Sequence, residues 1–468
     1  MTVILISLLA AAIQMVLLLV TARILGAAEY SGFSLIMTVA IFLSACCSEW
    51  LRMILARQGS SLRHRMRTAL LGGLRVWTVR LALSLLIGLA PIAILAEAIA
   101  SKSIALAIVA TSLVGTGTML SDMAATFLRF TSSRQAYNCF VLLRVSLMGG
   151  ASVAAAALGG NGSQTATAFG AAALLCGGGF IALFWTRSLP RKGLIIRLGP
   201  MGWSLASGSL GTNISLMLSR LALGIALPAN ISGGVFLAID LATRGINVLG
   251  VAINTWGNRL IINASHYEGI AGAKRTFLPV SAVFITIWFS VALAGVALCV
   301  AIPLITLTFN EVDLYLMATV STVFSILLLF LRTFLFDAYL SAIGRHREVA
   351  HVGVSTVFLT AIGALFAAFV PTPAIGMLAF PAAVVLSYIA YFKRNGTVLW
   401  SGINRPSAIF GVHAIFAVAV ASGVVSMSDS LPVTVVILSV ITMNYGFRLS
   451  VAAKDVFLKN KYISKDFD

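Results

Sequence analysis

The sequence predicts an all-α polytopic membrane protein of about fourteen transmembrane helices, with two six-helix lobes around a central cavity and two extra helices. Three observations predict it. Hydrophobic residues make up 60% of the chain and charged residues 10%, and the mean hydropathy is +1.02, a composition foreign to soluble domains. Apolar windows of about 20 residues, enough to cross a hydrocarbon layer of roughly 30 Å, follow one another along the whole chain. The basic residues between them collect in every second loop.

The first seven windows are residues 3–22, 32–56, 79–100, 104–128, 139–158, 166–186 and 201–227. Each ends at a break: Arg23 to Ser31, the basic stretch 57–78, Ser101 to Ser103, Arg129 to Asn138, Gly159 to Thr165, the basic loop 187–200, and Pro228 to Gly233. The second set is 234–256, 277–303, 314–336, 351–370, 375–392, 408–427 and 433–452. Helices rather than strands are expected, because lipid offers backbone groups no partner and barrel strands would alternate polar and apolar residues. The first window is full length and lacks a positive leader, so it is expected to stay as a span rather than be cleaved.

One set of alternating loops carries Arg57, Arg63, Arg65, Arg67 and Arg75, then Arg129 and Arg134, then Arg187, Arg191, Lys192 and Arg197. The same side continues with Arg259, Lys274 and Arg275, Arg345 and Arg347, Lys393, Arg394 and Arg405, and Lys454 to Lys465. The opposite loops hold Arg23 and Lys102. This asymmetry places both termini in the cytoplasm. It also accounts for the net charge of +18 without nucleic-acid binding, since the cations sit in short juxtamembrane loops. The cysteines, Cys46, Cys47, Cys139, Cys176 and Cys299, lie in the spans without metal-site or disulfide spacing, so packing explains them and no cofactor or metal is expected. The external loops are too short for a catalytic domain, and no enzymatic role is read from the residues.

Charges inside spans cost about 2.5–3.5 kcal/mol each at a helix centre and should face protein or water. They are Arg52, Arg80, Arg144, Arg220, Arg244, Arg332 and Arg448, against Glu49, Asp122 and Asp240. Arg80, Arg332 and Arg448 lie near span ends and are expected to snorkel to the interface. Helical spacing groups the rest into stripes. Asp240, Arg244, Asn247, Asn254 and Asn258 share one face of the eighth span, and Ser209, Asn213 and Arg220 one face of the seventh. Thr111, Gly115, Thr118, Asp122 and Arg129 do so in the fourth, and Ser34, Thr38, Ala45, Ser48 and Arg52 in the second, with Glu49 alongside. Asp240 with Arg244 and Glu49 with Arg52 have the spacing of neutralised helix pairs serving only packing. Stripes on four helices favour a polar cavity. Glu49, Asp122 and Asp240 are the candidates for ion coupling, and Pro91, Pro279, Pro303, Pro381, Gly149, Gly150 and Gly177 to Gly179 mark bends or close helix approaches.

A weak repeat relates Arg23, Leu25, Gly26 and Tyr30 to Phe33 with Arg220, Leu223, Gly224 and Ile231 to Gly234. Two similar halves are therefore expected, as in transporters built around a central site. The N-terminal lobe would be 1–186, the cytoplasmic linker 187–200, the C-terminal lobe 201–392, and the last two spans with the tail 393–468.

The run from Thr21 to Ile36, Thr-Ala-Arg-Ile-Leu-Gly-Ala-Ala-Glu-Tyr-Ser-Gly-Phe-Ser-Leu-Ile, resembles the opening of bacterial polysaccharide flippases. These belong to the multidrug/oligosaccharidyl-lipid/polysaccharide exporter (MOP) superfamily. The resemblance in detail covers the first two spans and the start of the second half. Relatives often carry a longer lead before the first span, so a shortened start is expected here. The resemblance implies a protein of the bacterial inner membrane that moves an undecaprenyl-diphosphate-linked oligosaccharide between leaflets through a cationic cavity. It places diphosphate binding on Arg23, Arg52, Arg220 and Arg244, to which depth alone adds Arg144. Arg suits this role because its fork binds phosphate oxygens bidentately. Asn213, Asn247 and Asn254 would serve sugar hydroxyls. Membrane lipids and the polysaccharide polymerase machinery are the implied partners. A multidrug exporter, using the acids, is the alternative within the superfamily, and a membrane-embedded glycan polymerase or ligase the alternative outside it. Long external loops would have favoured the latter.

The topology is checked by cysteine labelling in a cysteine-free background. Ser163→Cys is expected to react with an impermeant reagent from outside intact cells, and Arg63→Cys only after the membrane is opened.

Overall fold

The computed structural model describes residues 2–58, 64–131, 134–183, 185, 193–253, 257, 260–262, 264–265, 267–277, 280–281, 313–369 and 373–400. The expected thirteenth and fourteenth spans and most of the ninth lie outside them. Among the described residues the chain is helical, with no strand. The helices are α1 (Thr2–Gln58), α2 (His64–Ile99), α3 (Lys102–Thr131), α4 (Arg134–Ala157), α5 (Gly162–Leu183), α6 (Leu194–Ala226) and α7 (Ala229–Ile253). After them come α8 (Asp313–Leu331), a π turn (Arg332–Phe336), α9 (Asp337–Ala342), α10 (His346–Phe369) and α11 (Pro373–Trp400). Eight described helices are long and apolar enough to cross a membrane.

α1 has 57 residues, about 85 Å at 1.5 Å per residue and far more than one crossing needs. Its backbone breaks at Gly26, where φ is 74° and ψ 167°. That conformation suits only glycine, so the expected first and second spans are two limbs meeting at a kink. α2 starts at His64, roughly four turns before the third apolar window, because Leu70, Leu71, Leu74 and Thr78 form a buried stripe along its basic first half. Between α4 and α5 the turn is as short as the sequence implied. Gly159 takes a positive φ of 82°. Asn161 and Gln164 then form a capping box: Gln164 N–H donates to Asn161 Oδ1 at 2.9 Å and Asn161 N–H to Gln164 Oε1 at 3.0 Å.

The chain forms two compact units, Met1–Asp240 with Val349–Ala368, and Leu241–Glu348 with Phe369–Asp468. In the first, small residues carry the packing, as expected where lipid removes the hydrophobic drive between helices. A Cβ on Gly177 would stand 2.3 Å from Ser121 N, and one on Gly170 2.6 Å from Val114 N, so α5 lies backbone to backbone on α3. Gly149 meets Leu17, whereas Gly150 and Gly179 meet nothing within 4 Å. α10 joins this unit through Gly353, whose added Cβ would lie 2.5 Å from Ser207 O on α6, and through a 2.8 Å hydrogen bond between Ser215 and Thr360. Trp185 is buried, stacked on Phe127 at 4.4 Å, and donates its indole N–H to Leu71 O at 3.0 Å. Large apolar side chains such as Ile87, Ile94 and Leu175 point outward, as a lipid-facing surface requires.

In the second unit, Phe277 stacks on Tyr339 at 4.1 Å, and the Tyr388 hydroxyl of α11 donates to the Leu328 carbonyl of α8. Here one expectation fails. Arg332 does not snorkel: it is 0% exposed, with Nε 3.5 Å from Asp337 Oδ2. Residues five apart stand about 140° from each other around an α-helix. The π turn, with its i to i+5 hydrogen bonding, brings them onto one side. Arg80, in contrast, is exposed, as snorkelling implies, while Arg448 lies outside the described residues.

Breaking the buried pair from one side should be costly. Arg332→Met is expected to destabilise the protein by about 3–5 kcal/mol, and adding Asp337→Leu to recover most of that. Thermal unfolding in detergent measures both. By the same readout Gly177→Ala should cost about 1–3 kcal/mol through overpacking, and Gly179→Ala should stay within about 0.5 kcal/mol.

Candidate functional site

Most hydroxyls of the polar stripes are satisfied within their own helices. Thr38 donates to Ser34 O, Ser48 to Ser44 O, Thr111 to Ala107 O and Thr118 to Val114 O, each at 2.7–2.8 Å. Gly115 packs against the Ala40 carbonyl. These residues therefore do not need a cavity to explain them. The charged members do require partners, and in the first unit they form two clusters.

The first centres on Asp240 of α7. Its Oδ2 accepts from the Tyr30 hydroxyl at 2.7 Å and from Ser34 at 2.8 Å, both on α1. Its Oδ1 lies 2.8 Å from Arg220 Nη2 on α6. Arg220 Nη1 donates to Thr38 Oγ1 at 2.7 Å and to Ser34 Oγ at 3.0 Å. Ser34 thus bridges a cation and its counter-ion, while Thr38, one turn along, accepts from the guanidinium alone. All five side chains are buried. Ser31 and Ser232 join α1 to α7 at 2.8 Å, and a Cβ on Gly233 would overlap Ala27 O at 2.0 Å. The cluster clamps α1, α6 and α7 together. Asp240 does not pair with Arg244, four residues along the same helix, as its spacing suggested. Its carboxylate is taken by Arg220, because a cross-helix guanidinium together with the Tyr30 and Ser34 hydroxyls satisfies a buried charge more fully than one i,i+4 contact.

The second cluster lies about 22 Å further along α1, counted from Ser34 to Glu49. Glu49 is the expected i,i+3 partner of Arg52, with Nη1 to Oε2 at 2.7 Å, and its Oε1 accepts from Ser209 of α6 at 3.2 Å. Asp122 of α3 binds Arg144 Nη1 of α4 at 2.7 Å and stands 4.0 Å from Arg52 Nη1. Arg129 and Tyr137 lie within electrostatic range of Arg52. Unlike the first cluster, this one is only partly covered by the protein: the side chains of Arg52, Asp122 and Arg144 are 36%, 33% and 22% exposed, while Glu49 is at 6%. The sequence placed each of these charges at a span interior but gave no pairing for Asp122 with Arg144.

The other candidates are not drawn into either cluster. Arg23 is exposed beside the Gly26 kink, and Arg244 and Asn213 are half-buried. Neither Arg23 nor Arg244 has an ion-pair partner among the described residues. The Asn247 side chain and Asn254 lie outside the described residues. Tyr30 was legible only as part of a motif, and nothing in its spacing pointed to Asp240.

No family model and no curated protein matches the sequence. Solved structures do match in fold. The lipid II flippase MurJ in an inward closed conformation is 11% identical, with 97% of this chain and 98% of that chain covered and a TM-score of 0.59. The MATE multidrug transporter DinF-BH is 14% identical over 85% of this chain and 94% of that one, with a TM-score of 0.58. An outward-facing multidrug resistance MATE family transporter of the MOP superfamily is 14% identical over 86% and 95%, with a TM-score of 0.56. The chain is a multi-pass α-helical membrane protein with the fold shared by the flippases and exporters of the MOP superfamily.

Proposed function

We propose that the protein translocates a polyprenyl-diphosphate-linked oligosaccharide across the cytoplasmic membrane by alternating access, for surface polysaccharide biosynthesis. The observation that carries this reading is the partly exposed cluster holding Arg52 and Arg144, with Arg129 beside it. A diphosphate cannot enter hydrocarbon unpaired, and guanidinium groups that are anchored yet partly exposed are suited to receive it. That the neighbour covering 97% of this chain is a lipid II flippase supports a lipid-linked cargo. Arg220 has a different role: buried and held by Asp240, Ser34 and Thr38, it secures α1, α6 and α7. Arg23 and Arg244, which have no ion-pair partner among the described residues, stay in the substrate-binding set, and Asn213 with them.

The drug-exporter reading of the same fold calls for acids free to receive a cation. Glu49, Asp122 and Asp240 are each paired with an arginine, which favours an anionic cargo.

In a strain lacking this gene, Arg52→Ala and Arg144→Ala should each reduce restored surface polysaccharide by roughly 10- to 100-fold at unchanged membrane abundance, since a charge-assisted contact contributes about 1.5–3 kcal/mol. Lysine at either site should rescue in part, keeping the charge without the fork. Full complementation by the double alanine variant overturns the proposal. Arg220→Ala should instead lower membrane abundance, because it leaves Asp240 buried and unpaired at a cost of about 3–5 kcal/mol.

A further inference from the structure

The two carboxylates of the exposed cluster are held differently. Glu49 is buried, and its two oxygens are taken by Arg52 at 2.7 Å and Ser209 at 3.2 Å. Asp122 is 33% exposed and grips one guanidinium only: Oδ1 is 2.7 Å from Arg144, while Oδ2 stops 4.0 Å from Arg52. Arg52 also keeps its Nε–H buried with no hydrogen-bond acceptor among the described residues. One small carboxylate thus stands between two arginines on separate helices, α1 and α4, and is too short to satisfy both. A larger anion with more terminal oxygens would satisfy both.

We propose that Asp122 is a built-in surrogate for the substrate's diphosphate, bridging Arg144 and Arg52 in the empty protein and displaced from them when phosphoryl oxygens arrive. This rests on the reading of Arg52 and Arg144 as the anion site and adds how that site is regulated. Empty, two neighbouring guanidinium groups would repel each other, so a tethered acid keeps them in place. Occupied, the displaced carboxylate stands beside the bound anion and weakens its grip, which favours release after translocation. Glu49 has the separate task of orienting Arg52, for which its burial and its second partner on α6 suit it.

The test is calorimetric titration of inorganic pyrophosphate into the purified full-length protein in lipid nanodiscs. Asp122→Asn is expected to bind about tenfold more tightly than the parent, a gain of about 1.4 kcal/mol. Glu49→Gln should bind no more tightly than the parent. Unchanged or weaker binding by Asp122→Asn overturns the surrogate role. Equal tightening by Glu49→Gln overturns it too, because net charge alone would then account for the effect. The double variant Arg52→Ala with Arg144→Ala should abolish binding in either case. If pyrophosphate binding survives that double variant, or is undetectable in both the parent and Asp122→Asn, the anion-site reading itself fails.

Discussion

A charge buried in hydrocarbon has no solvent to fall back on, so an arginine enclosed within the helices must find its counter-ion in the protein. That requirement organises the helix contacts around it. Arg220 and Asp240 draw α6 and α7 onto α1, with Tyr30, Ser34 and Thr38 completing the hydrogen bonds. Arg144 and Asp122 tie α4 to α3. In the second unit Arg332 and Asp337 are close enough to pair only because the helix takes a π turn between them. Such pairs are weak sources of net stability but strong specifiers of arrangement, since a wrong helix rotation would strand a charge.

Between the charged clusters, contact depends on what is missing from the side chains. Lipid tails are as apolar as leucine, so helices adhere where backbones come close enough for dense van der Waals contact. Gly170 and Gly177 set α5 on α3, Gly353 sets α10 on α6, and Gly233 sets the start of α7 on Ala27. The last contact adjoins the Gly26 kink and the Asp240 cluster, so close approach and charge pairing reinforce each other midway along α1. The hydroxyl stripes contribute less than their number suggests, because most of them bond carbonyls one turn back.

The two clusters of the first unit differ in the property that matters for function. Around Asp240 the charged side chains are largely enclosed, which suits a clamp between helices. Around Arg52 and Arg144 the paired side chains are left partly exposed, as the proposed anion site requires. In an alternating-access transporter, one set of interactions must hold helices in register while another is surrendered to cargo and recovered. The burial of Glu49 against the exposure of Asp122 repeats that division within a single cluster.

By itself the sequence determined the class of the protein and the approximate lengths of most described spans, because these follow from hydropathy and rise per residue along one chain. It also determined the Glu49 to Arg52 pair, since residues three apart must share a helix face. The tertiary structure decided which acid meets which cation. Asp240 lies four residues from Arg244 but bonds Arg220, and Asp122 bonds Arg144 on another helix, because pairing across helices depends on their relative rotation and separation, which no spacing within one helix records. Arg332 looked like an interfacial residue for a related reason: its partner is five residues away, a distance that reads as opposite faces until the backbone adopts a π turn.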